Sequence, residues 1–397
     1  MARRAVIALE EAWDRLLGSI DALDAELVDI DRAGGRYLRE PLIARRTQPY
    51  ADLSAMDGFA ACGEGPWDLV GEARAGHAFD GALRTGQAVA ISTGAALPEG
   101  ADRIVVKEDA SVAHGRLDAD PAPEPGRHIR RRGLDFRHGD ALIAAGHRMT
   151  AAQIALARTA GVANVSVARR AKVAILECGD ELHADPAKCP PDGLPASNGA
   201  MMAEMVQSLG AKVSDRALVP DRLDALVEAL DAARDADLLL TSGGASVGEH
   251  DLIKPALEKA GFTLDFWRVA IRPGKPMIVA RRGKQLMLGL PGNPVSTFVT
   301  ALLFALPALR RMAGACEPLP RSVRLPLDGE LPAGGTRREY LRASLGPEGV
   351  VPITERDSSA LAALARADVL IDRSIDAPDE TKGALVPCYL LQNGAIA

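Results

Sequence analysis

From Lys172 to about Met312, short apolar runs alternate with segments of helical period, and this restricts the fold more than any other feature of the chain. Residues 173–176, 212–219, 238–240, 264–270, 277–280 and 285–290 read as strands. Ser197-Asn198 opens a helix carrying Met201, Met202, Met205, Val206 and Leu209. Asp221 is placed to cap a second, with Leu223, Leu226, Val227 and Leu230 on one stripe. Residues 255–260 and 294–312 complete the helices. Continuously apolar strands separated by helices predict a doubly wound α/β domain.

The remainder has other periods. At ~100–200 residues per domain, the 397 residues suggest two to four domains. Val6, Leu9, Trp13, Leu16, Leu17 and Ile20 form an amphipathic stripe near the start. Residues 50–138 are rich in Gly and Pro, with short runs at 88–91 and 103–106, and read as β-rich. Thr150 is an N-cap for a helix ending at Gly161. Beyond Gly314 the period becomes two, over 322–327, 339–345, 349–354, 369–372 and 385–391, which predicts a small β-barrel or sandwich. The expected plan is a multidomain α/β chain. Residues 1–48 and 139–168 make a discontinuous helical linker domain, 49–138 an inserted β-rich domain, 169–314 the α/β domain and 315–397 the barrel.

The net charge of −6 argues against a protein that coats nucleic acid electrostatically. Aromatic residues at 4% leave little for a base-stacking platform. The five cysteines are scattered with no CxxC pair, so neither a disulfide framework nor a structural zinc site is expected. The acidic turn after Leu9 interrupts any secretory apolar core, and the apolar stretch 295–309 contains Pro307 and is short of a ~20-residue span. A cytoplasmic protein without membrane insertion is expected.

Three glycine turns follow strands in the α/β segment. They are Glu177-Cys178-Gly179-Asp180-Glu181-Leu182, Thr241 to Gly248 (TSGGASVG) and Leu290 to Ser296 (LPGNPVS). Each alone is an ordinary βα turn. Three in one doubly wound domain converge on one crevice, where backbone N–H groups and helix N-termini favour an anion. Ser242, Ser246 and Ser296 are candidate donors. In Arg268-Val-Ala-Ile-Arg272-Pro-Gly-Lys275-Pro276, prolines fix the chain around two cations. Arg272 as a fork and Lys275 as a point charge suit a tetrahedral oxyanion, against the alternative of a solvated basic turn. Asp180, Glu181, Glu249 and Asp251 beside these turns suggest phosphate held through Mg²⁺, although acids at helix starts are common. Asp57 lies in a tight turn, and four arginines in Arg127–Arg132 precede Asp135. That basic run could meet a phosphate or an acidic partner surface.

These segments in order resemble the MoeA family, the molybdopterin molybdenumtransferases that include the gephyrin E domain and plant Cnx proteins. SAMDGFA over 54–60 is similar to the family's SAMDGYA, and TGAALPEG over 93–100 to TGAxxPxG. GDEL over 179–182, SGGASVG over 242–248, RPGKP over 272–276, LPGNPVS over 290–296 and an RxEFLR-like stretch at Arg338–Arg342 follow in family order. The resemblance implies an elongated four-domain homodimer with a MogA-like molybdopterin-binding α/β domain, its cleft facing the β-rich domain of the other subunit. It implies insertion of molybdenum from molybdate into adenylylated molybdopterin, with release of AMP and support from Mg²⁺. The pathway's molybdopterin adenylyltransferase is an implied partner.

Residue by residue, the resemblance places Asp57, Thr93, Asp135, Glu181, Asp221 and Asp251 at functional positions. It assigns Arg272, Lys275, Pro276, Ser296, Arg338 and Ser359, or else Ser358, to molybdate or phosphate. Substrate binding falls to Gly179, Asp180, Ser242, Gly243, Gly244, Ser246, Gly248, Pro291, Gly292, Asn293 and Pro294, and metal binding to Asp180, Glu181 and Asp251. The family's Ser-Thr before GDEL is replaced by Glu177-Cys178, and Arg268 and Arg272 stand where Lys is frequent. A non-catalytic molybdopterin carrier and an adenylyltransferase are the alternative functions.

Overall fold

The computed structural model describes residues 6–243 and 252–391. Its centre is a seven-stranded sheet. In spatial order the strands are Val6–Ile7, Thr263–Val269, Pro276–Arg282, Gln285–Leu290, Leu238–Ser242, Lys172–Cys178 and Lys212–Val219. The last four are mutually parallel. The Pro276–Arg282 strand runs antiparallel to both neighbours, turned back by the two-residue Gly283-Lys284 loop, so the sheet is mixed.

Helices on both faces explain the continuously apolar strands. Val173 and Ile175 face a core shared with helix Asn198–Ser208 and with the 294–312 helix, whereas Ala174 and Leu176 face helices Leu223–Ala232 and Ile253–Lys259. Leu238 and Leu240 against Leu239 divide in the same way, as do Leu286 and Leu288 against Met287. Pro294–Met312 is long and apolar enough to cross a bilayer, but 94% of it is buried inside this protein.

The start of the chain departs from the expected linker domain. Val6–Ile7 adds a parallel strand to the central sheet. The Leu9–Gly18 helix buries Leu9, Ala12, Trp13 and Leu16 in the same core. Pro307 explains part of this attachment. Lacking an N–H, it cannot bond the carbonyl of Leu303 four residues earlier, and the helix passes through a π turn at Ala301–Ala305. The Trp13 indole N–H donates to that Leu303 oxygen at 2.7 Å.

The linker itself is mostly β rather than helical. Ala25–Asp29 pairs with Asn164–Ala168, Leu42–Ile43 with Ala141–Ile143, and one helix, Ala151–Thr159, starts at a Thr150/Gln153 capping box. The inserted segment forms a six-stranded sheet around fully buried Trp67. In it Gly58 lies so close to the next strand that a Cβ would come within 2.1 Å of the Val105 oxygen, which accounts for the glycine after Asp57.

The C-terminal strands Val323–Pro326, Arg338–Gly346, Gly349–Pro352, Val369–Arg373 and Leu385–Leu390 curl into a small barrel. A bridge between Leu327 and Val350 joins its two ends. One strand of this sheet comes from elsewhere: Ile271–Arg272, in the excursion between two central strands, pairs with Arg338 and Glu339.

Candidate oxyanion site

The parallel strands end in the loops at Gly179–Leu182, Pro220–Asp221, Gly243 and Pro291–Asn293, at one edge of the sheet. Asn198, at the start of its helix, holds two of these loops together. Its amide donates to Ser242 Oγ and to the Gly292 carbonyl, each at 2.7 Å. Gly243 has φ +89°, and a Cβ there would meet the Cys178 oxygen at 2.4 Å, so only glycine closes this approach. Asn198 Oδ1 and Thr241 Oγ1 are buried without hydrogen-bond partners among the described residues, which suits a ligand bearing N–H or O–H donors. In the sequence, Asn198 is marked only by its place at the opening of a helix.

Glu177 is almost fully buried beneath this edge. Burial pushes its carboxyl up, opposed by the backbone N–H groups of Gly199 and Asn198 that it accepts. Asp221 does not cap the following helix, which begins after Arg222. Its N–H donates instead to Asp180 Oδ1 at 3.0 Å. Partial burial, then the charges of Asp180 and Glu181, push the Asp221 carboxyl up. Among the described residues no group of three or more His, Cys, Asp or Glu forms a ready metal cage. Mg²⁺ commonly takes only one or two protein carboxylates, with substrate phosphates and waters completing its shell, and Asp180 with Glu181 fits that need. Gly244, Ser246, Gly248 and Asp251 lie outside the described residues.

Beside this edge opens a cleft of about 920 Å³ between the α/β unit and the barrel. Arg272, Lys275, Pro276, Val295 and Ser296 line one wall, and Arg337, Glu339, Arg342, Arg356, Asp357 and Ser358 line the other. Arg373 also lines it, paired with Glu380, and Arg342 is turned to loop carbonyls. Arg272 donates to Glu339 at 3.1 Å. Lys275, Arg337 and Arg356 have no ion-pair partner among the described residues, so this cleft is positive and ready for an anion.

Two expected residues are displaced by one position. Arg338 is turned away, donating to both Asp372 oxygens at 2.6 Å and to Glu10 at 2.5 Å, and Arg337 lines the cleft in its place. The spacing RxEFLR, laid over Arg337–Arg342, puts its first arginine at 337, so the signal was present in the sequence. Ser359 donates to its neighbour Asp357 at 2.6 Å, whereas Ser358 lines the cleft.

The inserted sheet carries a separate constellation. Asp57 Oδ1 accepts from the Thr93 N–H at 2.7 Å and from its hydroxyl at 3.0 Å, and these bonds lower the Asp57 pKa. Asp135 is exposed on the same segment, with its N–H bonded to the Gln48 carbonyl at 3.0 Å. In the basic run, Arg131 and the Arg132 N–H both bind Asp52 at 2.7 Å, so part of that run is structural.

A doubly wound unit and a barrel that together wall a cationic cleft define a multidomain α/β protein of composite build. More particularly, the chain belongs to the MoeA family. Residues 7–161 match the MoeA N-terminal region (domain I and II), 174–311 a probable molybdopterin binding domain, and 324–391 the MoeA C-terminal region (domain IV). The molybdopterin molybdenumtransferase of Nostoc sp. is 34% identical over 81% of this chain and 77% of its own length. That of Synechococcus elongatus is 34% identical over 89% and 92%. The crystal structure of the molybdopterin biosynthesis MoeA protein from Pyrococcus horikosii covers 98% of this chain and 100% of its own, with TM-score 0.79 and 26% identity.

Proposed function

We propose that this chain is a molybdopterin molybdenumtransferase, a transferase of molybdenum cofactor biosynthesis that inserts molybdenum from molybdate into adenylylated molybdopterin and releases AMP. The observation that carries this reading is the cleft in which Arg272, Lys275, Arg337, Ser296 and Ser358 face one space. A tetrahedral dianion suits such a set, with arginine forks, a lysine point charge and seryl donors arranged before the ligand arrives. The adjoining loop edge, with Asn198, Ser242, Gly243 and Pro291–Asn293, is the place for the pterin adenylate. Its phosphates would lie near the carboxylates of Asp180 and Glu181, and Mg²⁺ held there would offset charge on the phosphoanhydride. Asp221, whose N–H bonds Asp180 Oδ1, stands beside that pair and would help to hold it in place.

The Asp57–Thr93 pair lies on the inserted sheet, apart from the residues that line the cleft, and in the proposed homodimer it would complete the site of the partner subunit. A cytoplasmic location, and hand-over of the pterin from the pathway's adenylyltransferase, accord with this function.

The test is AMP release from adenylylated molybdopterin, with and without molybdate and Mg²⁺. Molybdate should stimulate release. Lys275→Ala should raise the molybdate requirement by about tenfold or more, as expected for one charged hydrogen bond. Tight pterin binding with no AMP release would instead make the chain a carrier.

A further inference from the structure

The buried guanidinium of Arg342 is committed to one loop. It donates to the carbonyls of Glu355 at 2.5 Å, Asp357 at 3.1 Å and Ala360 at 3.2 Å, and no carboxylate pairs with it among the described residues. An arginine buried without a counter-charge is costly unless its N–H groups are satisfied. Here backbone oxygens of a single turn satisfy them, which fixes the shape of that turn.

At the centre of the turn is Ser358. Its carbonyl accepts from the Val295 N–H at 3.1 Å, across the boundary between barrel and α/β unit. Its Oγ accepts from the Asn293 amide at 2.8 Å. A seryl hydroxyl has one proton to donate, and with Asn293 on a lone pair that proton is left for the cleft. We infer that Arg342 is a positioning residue, which shapes the loop so that Ser358, oriented by Asn293, donates its hydroxyl proton to the oxyanion. This inference rests on the proposed function and adds how one donor of that site is set in place. It gives Asn293, expected to touch substrate, an indirect part.

The test uses the purified full-length chain, adenylylated molybdopterin and molybdate. Ser358→Ala and Arg342→Lys should each raise the KM for molybdate about tenfold, with the KM for the pterin within about twofold of native. Lysine keeps the charge but cannot fork to three carbonyls. The double variant should be no worse than Ser358→Ala alone, because Arg342 acts through Ser358. Guanidinium ion at millimolar concentration should partly restore Arg342→Ala. Should that variant not fold, exposed Asn293→Ala supplies an independent arm, with a several-fold rise in the molybdate KM that vanishes in the Ser358→Ala background.

A native molybdate KM in Arg342→Lys beside a raised one in Ser358→Ala overturns the inference and leaves the function standing. An equal rise in both KM values with a lowered melting temperature also overturns it, since Arg342 would then support only the fold. AMP release by the wild-type chain that ignores molybdate overturns the functional reading and this inference with it.

Discussion

Glu177 is the residue whose chemistry departs most from its family pattern, and the structure gives it a structural post. Its carboxylate accepts the N–H groups of Asn198 and Gly199 at the start of a helix, and a Cβ on residue 199 would lie 2.2 Å from Glu177 Oε1. The charge therefore suits the helix terminus, but burial raises its pKa, so the second effect prevails. A carboxyl with a raised folded-state pKa contributes most below its unfolded pKa, and that contribution is lost as pH climbs through the folded value. Wild-type melting temperature should thus fall over the window just above the ordinary glutamate range. Glu177→Gln should flatten that fall while keeping an acceptor for the helix. Parallel melting curves across that pH window would show that Glu177 does not titrate with folding.

At the scale of the element, the sequence showed the central strands plainly, because burial on both faces leaves an unbroken apolar run. It also showed the Arg272–Pro276 turn, where proline and glycine fix two cations that line the cleft. It showed less where partners are remote. Nothing near Val6-Ile7 announces a strand, since its pairing residues, Arg268 and Val269, are more than 260 positions away. Arg337 and Arg338 stand side by side where the Arg338–Gly346 strand opens, and one residue decides which of them lines the cleft. Trp13 read as an amphipathic anchor, but its polar role depends on Pro307 and the carbonyl that proline leaves open. Trp13→Phe keeps most of the ring packing and removes the donor. A buried carbonyl left unsatisfied should cost about 1–3 kcal/mol, measurable as a lower denaturant midpoint. In the double variant Trp13→Phe with Pro307→Ala, the backbone N–H that alanine supplies should recover part of that loss, and no recovery would place the effect in packing alone.

At the scale of the whole molecule, the α/β unit and the barrel are tied together at the site itself. Ile271–Arg272 is a strand of the barrel, Arg338 joins Asp372 of the barrel to Glu10 of the first helix, and Ser358 bonds Asn293 and Val295. The cationic cleft is thus a fixed feature of this pair of domains. The Asp57–Thr93 pair lies on the inserted sheet, with no described hydrogen bond to any cleft residue. If catalysis needs both, and the chain is the proposed homodimer, each site takes its cleft from one subunit and its Asp57 from the other. At molybdate well below the native KM, Asp57→Ala homodimers should be nearly inactive in AMP release and Lys275→Ala homodimers should keep about a tenth of native activity or less. Subunits mixed and reassembled at random form heterodimers in half the dimers, and each heterodimer holds one intact site of two. Activity should therefore return to about a quarter of native for a symmetric dimer. Mixing that restores nothing, with exchange of subunits verified by differential tagging, would place both groups in the site of a single chain.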